Sequence, residues 1–313
     1  MNRNVLRRAI EWMVIIAILT WLTVTIYSEH QVVLEQLGSL KWQWVLGAMC
    51  ILSAVLLWEA WVWQVLFAQA GFKISLSEAF QSLYVSLLGR YIPGRIWQVT
   101  GTIYLLTTMG VPVENATALA IISQSLTLVS GVIVAIPAML SWLEHAQQGS
   151  LLSIVGVLIA GLGIVLIGFF PAVWIRLINW GLKKIGRESK VDIRIPSLWK
   201  FALAYWIAWV GLGVGAFLVL LSTESLSIDY LPYMTSAFVF AYIAGYLVIF
   251  VPGGIGVREG ALVFALALVL PVSVSVFIAL LTRFWMTAVE VLFALIALTL
   301  RGREHLAVPT NKR

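Results

Sequence analysis

Six apolar runs, at 9–27, 44–67, 115–141, 151–175, 200–222 and 272–300, dominate the sequence. Each is near or above the ~20 residues that an α-helix needs to cross the hydrocarbon core of a bilayer. Lipid offers backbone N–H and C=O groups no partner, so only helices and closed barrels span it. The period-2 alternation of a barrel strand is missing here. Composition agrees: 61% of residues are hydrophobic and 11% charged, against about 25% charged in soluble domains. The expectation is an all-α polytopic membrane protein forming a single integral membrane domain. The longest polar stretch between spans, 176–199, is too short for a separate soluble domain.

Several functional classes recede on the same grounds. The lone Cys50 lies inside an apolar run, so no internal disulfide is expected. His30, His145 and His305 fall far apart in predicted loops or the tail, and Asp192 and Asp229 are the only aspartates. Neither a metal site nor another cofactor is expected from these. The phosphate-cradling pattern GxxxxGK[ST] does not occur, which argues against direct ATP use. Arg3, Arg7 and Arg8 precede the first run, and no small-x-small cleavage pattern follows it, so it is read as an uncleaved span.

The net charge of +6 is distributed as membrane topology demands, not as a nucleic-acid surface. With the N-terminus placed inside, the inner side holds Arg3, Arg7, Arg8, Lys73, Arg176, Lys183, Lys184, Arg187, Lys190, Arg194, Lys200, Arg301, Arg303, Lys312 and Arg313. The outer side holds only Lys41, beside Glu29, Glu35, Glu144, Glu224 and Asp229. Cytoplasmic loops carry the excess of Lys and Arg, so both termini are expected in the cytoplasm of a plasma (inner) membrane protein. Tryptophans 42, 44, 142, 174, 180 and 199 then fall near predicted interfaces, where aromatic belts form.

This map forces two segments to return to the side they enter from. The segment near 76–112 starts and ends inside; the segment near 234–270 starts and ends outside. Each has a Pro-Gly near its middle, Pro93-Gly94 in "LLGRYIPGRIWQVTG" and Pro252-Gly253-Gly254 in "FVPGGIGVRE". Proline removes a helix donor and glycine permits a sharp reversal, so both segments are predicted to be helical hairpins. Their length is compatible with a turn at mid-bilayer or with complete crossing. Elements beginning near 44, 76, 93 and 115 recur near 200, 234, 252 and 272, at offsets of 156 to 159. The prediction is about six spans plus two hairpins, up to ten helical segments. They form two inverted halves, 1–145 and 146–313, joined through the basic loop 176–199. Inverted repeats with broken helices at matching positions are a transporter arrangement.

Seven ionisable residues fall at predicted membrane depth: Glu59, Arg90, Arg95, Arg258, Glu259, Arg283 and Glu290. Each costs about 2.5–3.5 kcal/mol to insert on translocon scales, which makes all of them candidates for substrate binding. Arginine's planar fork suits phosphate. The half-helices after each Pro-Gly also aim free N–H groups at the turns. Pro93, Gly94, Pro252, Gly253, Gly254 and Gly256 are the candidate hinges. The competing reading gives Arg90 and Arg95 to the inner headgroups by snorkelling, makes Arg283 and Glu290 a structural pair, and has Glu59 solvated near the interface.

The motifs "GRYIPGRIWQV", "FVPGGIGVREGALVFAL" and "RFWMTAVEVLFAL" resemble the transmembrane lysylphosphatidylglycerol synthase/flippase family, over essentially the whole chain. In the stretch "IISQSLTLVSG", Ser123 and Gln124 stand where family members often carry a glutamate. The family's soluble aminoacyl-transferase domain does not occur in these residues, so no aminoacyl-lipid synthesis is expected. The resemblance implies a non-enzymatic lipid flippase. Its substrate would be an anionic headgroup, on a phospholipid (aminoacylated or not) or a polyprenyl-phosphate glycolipid. Membrane lipids are the implied partners, with a glycosyltransferase or lipid synthase as a further one. The alternatives are an accessory subunit of a glycosyltransferase and an integral-membrane lipid transferase using Glu59 or Glu259 as general base.

Overall fold

The computed structural model describes residues 37–91, 96–145, 195–248 and 251–307, together with Trp180, Lys183 and Lys184. The predicted spans at 9–27 and 151–175, the Pro93-Gly94 step, Arg95 and most of the basic loop lie outside the described residues. Among the described residues there are eight α-helices and no strand. They are α1 (Trp42–Gln69), α2 (Leu76–Leu87), α3 (Ile96–Thr108), α4 (Val113–His145), α5 (Ile195–Leu221), α6 (Leu231–Leu247), α7 (Val257–Leu266) and α8 (Val272–Ala307).

Among the described residues, four stretches are long and apolar enough to cross a membrane: Trp42–Gln69, Val113–Leu140, Leu198–Leu221 and Val272–Gly302. They coincide with four of the six apolar runs. Such helices are apolar on every face, which suits lipid on one side and packed protein on the other. Trp42, Trp180 and Trp199 are exposed, as expected of interface positions.

The predicted hairpins are two pairs of short helices. The first is α2 and α3, of 12 and 13 residues, hence about 18 and 20 Å long at 1.5 Å per residue. α2 opens on a capping box: the Glu78 N–H donates to Ser75 Oγ, and the Ser75 N–H donates to Glu78 Oε2. It tightens into a 3-10 turn over Leu88–Tyr91 before the chain reverses. The second pair is α6 and α7, of 17 and 10 residues, about 25 and 15 Å long. Its reversal runs through Gly253, Gly254 and Gly256, all at positive φ (60°, 65° and 84°), a region costly for residues with a Cβ. The tips of the two hairpins touch each other through their 3-10 turns.

Glycine also sets how closely the arms approach. A Cβ on Gly89 would stand 2.8 Å from the Gln98 nitrogen, and one on Gly245 would stand 2.8 Å from Arg258 Cβ. In each hairpin, therefore, the end of the first arm lies directly against the start of the second. α5 carries a comparable seam in "GLGVG". Added Cβ atoms at Gly211, Gly213 and Gly215 would strike Val55 of α1, Thr235 of α6 and Trp285 of α8. Small residues let backbones close up where lipid supplies no hydrophobic drive, and α5 thereby becomes the hub of the bundle.

The packing pairs have a regular pattern. α1 packs on α5; α2 packs on α8, and α6 on α4; α3 packs on α4, and α7 on α8. The main buried core gathers side chains of α1, α2, α4, α5, α6, α7 and α8 around Phe217, Phe238 and Trp285. A second core lies where α1 ends and α4 and α5 begin, around Phe67, Leu106 and Leu119.

Candidate functional site

The intramembrane charges separate into two groups, one at each hairpin tip. At the first tip, Arg90 Nη1 donates to Glu290 Oε1 of α8 at 2.8 Å, and Nη2 reaches the Tyr242 hydroxyl of α6 at 3.3 Å. The Glu290 side chain is 5% exposed and Arg90 17%. The carboxylate is thus buried, while the guanidinium keeps an edge toward open space.

At the second tip the charges hold the turn together. Glu259 Oε2 accepts the Gly256 N–H, which satisfies one of the orphan donors at the start of α7. Arg283 of α8 donates to the Gly253 carbonyl at 3.0 Å, and its Nη1 lies 3.5 Å from Glu259 Oε1. Arg258 is buried, with its Cζ 4.9 Å from the ring centroids of both Phe238 and Tyr242, and its Nη2 donates to Met286 Sδ at 2.8 Å. Aromatic faces stabilise a desolvated guanidinium by about 2 kcal/mol or more. Arg283 and Glu290, two turns apart on α8, each engage a different hairpin. α8 is the strut to which both tips are tied.

The first tip opens on a cavity of about 850 Å³, its open mouth included, lined by residues of six helices. Glu59 of α1 and Arg90 supply its charges. Tyr84, Tyr205, Tyr242 and Tyr246 supply hydroxyls, Gln98 and Gln124 carboxamides, and Trp63 and Trp209 aromatic walls. An adjoining cavity shares Gln98, Ser123, Gln124 and Tyr246 with it and runs between α3 and α4, past Thr102 and Ser125. Much of the wall is fixed by its own hydrogen bonds. The Tyr84 hydroxyl donates to the Leu56 carbonyl, the Ser123 and Tyr205 hydroxyls bond each other, and Trp63 Nε1 donates to Ser82 Oγ at 3.1 Å. Trp209 Nε1 donates to the Thr127 carbonyl at 2.8 Å, and its ring meets Tyr242 edge-on at 5.2 Å.

Of the seven charged candidates, Glu59 and Arg90 line the cavity and Glu290 backs Arg90. Arg258, Glu259 and Arg283 brace the second turn and are not in the cavity wall. Arg95 lies outside the described residues. Trp58, next to Glu59, donates through Nε1 to the Ala204 carbonyl at 2.9 Å and so serves packing. Gln98 and the tyrosines were missed as site residues. The aromatic residues look like ordinary packing inside apolar runs, but Ser123–Thr127 and Tyr205–Trp209, each spaced i, i+4, were a legible sign of polar helix faces. Among the described residues, no three His, Cys, Asp or Glu side chains gather as metal ligands.

Membrane-length apolar helices around a charged, hydroxyl-lined cavity define an integral membrane protein of the helical-bundle class. More particularly, the chain belongs to the lysylphosphatidylglycerol synthase transmembrane-region family, whose model matches residues 10–294. That membership marks a lipid-related membrane protein. No curated protein matches the chain significantly.

Proposed function

We propose that this protein is a lipid flippase that passes an anionic lipid headgroup through the cavity at the hairpin tips by alternating access. The observation that carries the reading is the Arg90–Glu290 pair, an ion pair set at the point where two broken helices meet and open on a polar cavity. A charge at membrane depth is costly unless it serves a pathway. A guanidinium with one edge toward the cavity can meet a headgroup phosphate there.

The packing supports an inverted repeat. Exchanging α1 with α5, α2 with α6, α3 with α7 and α4 with α8 turns every helix–helix packing pair named above into another that is present. Gly89 and Gly245, 156 residues apart, hold corresponding close approaches. Arms of about 15–25 Å fall short of a ~30 Å hydrocarbon core, which favours hairpins that re-enter over hairpins that cross. Alternating access would then rock one half against the other around the touching tips, with the glycine turns as hinges.

The test is reconstitution of the purified chain in liposomes, followed by transbilayer movement of labelled anionic lipids. Faster movement than in empty vesicles, lost in Arg90→Ala, is expected. Turnover of a lipid-linked sugar donor with no lipid movement would favour a transferase with Glu59 as base. Absence of both would favour the accessory-subunit reading.

A further inference from the structure

The cavity holds three polar side chains that the fold leaves unused. Glu59 of α1, Gln98 of α3 and Gln124 of α4 all line it. None of their side-chain polar atoms has a hydrogen-bond partner among the described residues, and none is sealed from the cavity space. The neighbouring hydroxyls and indole N–H groups, by contrast, are mostly engaged with the protein. Polar groups inside a bundle are normally satisfied. Three converging from three helices, one of them a carboxylate at membrane depth, mark a place where a ligand's polar atoms complete the set.

Their chemistry selects the ligand. A carboxylate accepts hydrogen bonds only, whereas a carboxamide both donates and accepts. One acceptor group and two donor–acceptor groups in one cavity wall match hydroxyls, each of which donates once and accepts. Trp63, whose N–H is already committed to Ser82, adds an apolar ring wall suited to a C–H face. The charge balance points the same way. Beside the Arg90–Glu290 pair, Glu59 is the acidic group that lines the cavity. A bare phosphate monoester would sit beside that like charge. A headgroup ammonium would share the cavity with the Arg90 cation and leave the carboxamide donors idle.

We propose that Glu59, Gln98 and Gln124 form the specificity-determining part of the headgroup site and read an uncharged polyhydroxylated headgroup, a sugar ring or a polyol. The inference rests on the cavity being the headgroup site and names its substrate class. Any phosphodiester of such a lipid falls at Arg90, with the hydroxylated group deeper toward Glu59.

The experiment titrates the purified full-length chain with lipids of matched acyl chains and reads binding by native mass spectrometry. The probes are phosphatidylinositol, phosphatidylglycerol, monoglucosyl-diacylglycerol, phosphatidic acid and phosphatidylethanolamine. At least one hydroxyl-bearing lipid is expected to bind about tenfold tighter than phosphatidic acid or phosphatidylethanolamine, the worth of one or two net hydrogen bonds. A tight glucosyl lipid with weak phosphatidylglycerol assigns a sugar ring, and the reverse assigns a polyol on a phosphodiester. Gln98→Ala, Gln124→Ala and Glu59→Ala should each weaken that lipid by roughly three- to tenfold.

Phosphatidic acid binding as tightly as the hydroxylated lipids overturns the proposal. So does phosphatidylethanolamine binding tightest with loss in Glu59→Gln. The lipid ranking on the unsubstituted chain does not depend on any variant folding. The two readings also fail separately. A chain that ranks lipids as expected but moves none keeps the headgroup assignment and loses transport; one that moves phosphatidic acid fastest does the opposite.

Discussion

Arg90 and Glu290 are 200 residues apart in sequence and 2.8 Å apart in space, which sets up an asymmetric double-mutant cycle. Arg90→Met takes a guanidinium away from the Glu290 carboxylate, whose side chain is 5% exposed; removing one partner of a buried pair costs about 3–5 kcal/mol. Glu290→Leu takes the carboxylate from the guanidinium instead, but that group keeps 17% exposure and the Tyr242 hydroxyl at 3.3 Å. Hydration through the cavity should hold its cost to about 1–3 kcal/mol. The double variant removes both members of the pair, and replacing a whole buried pair by apolar groups is often close to neutral. Its loss should fall below that of Arg90→Met alone.

Thermal unfolding in detergent, followed by tryptophan fluorescence, reads the cycle. At roughly 2–4 °C per kcal/mol, Arg90→Met should lower the midpoint by roughly 6–20 °C, with Glu290→Leu lowering it less. The double variant should recover most of the difference. Strictly additive losses, or a larger loss for Glu290→Leu than for Arg90→Met, would refute the reasoning.

The second turn and the caps give further expectations. Gly254→Ala combines a φ of 65° with a Cβ 2.6 Å from the Gly245 carbonyl oxygen; left-handed strain of about 1–2 kcal/mol plus the clash should lower the midpoint well beyond a surface substitution. Gly245→Ala, overpacked against Arg258 at 2.8 Å, should cost about 1–3 kcal/mol, measured in the same way. Ser75→Ala removes one limb of the α2 capping box and should cost about 0.5–2 kcal/mol; no change in midpoint would count against that cap. If both segments are hairpins, single cysteines replacing Lys73 and Met109 in a Cys50→Ser background should label from one side of the membrane. Cysteines at Thr223 and Val269 should label from the other. A mixed result within either pair would mean that the segment between them does not return to the side it enters from.

Much of the fold was written in one-dimensional patterns. Apolar run length gave the described spans to within a few residues, and Pro252-Gly253-Gly254 marked the second reversal, because both signals depend only on local chemistry. The "PGGIG" glycines do adopt the positive φ that a sharp turn needs. What sequence spacing could not supply was the partner of each charge. Arg283 and Glu290 share a face of α8, yet Arg283 meets Glu259 and the Gly253 carbonyl while Glu290 meets Arg90. That outcome is set by how two distant hairpins dock on one helix. Arg258 was legible as an intramembrane cation, but its place between Phe238 and Tyr242 was not. The aromatic partners come from α6, and any of the many aromatic residues in apolar runs could have served. Gln98 stood in plain view beside the first turn; its significance emerges only when α1, α3 and α4 close the cavity around it.

The double variant that tests the ion pair also tests the account as a whole. Arg90→Met with Glu290→Leu should leave a folded bundle that has lost both members of the ion pair. The decisive measurement compares it with the unsubstituted protein in liposomes, by the rate at which a labelled anionic lipid becomes accessible from the opposite leaflet. The account predicts movement well above empty vesicles for the unsubstituted chain and a return to the empty-vesicle rate for the folded double variant. An unsubstituted chain no faster than empty vesicles, or a double variant as fast as the original, would contradict it.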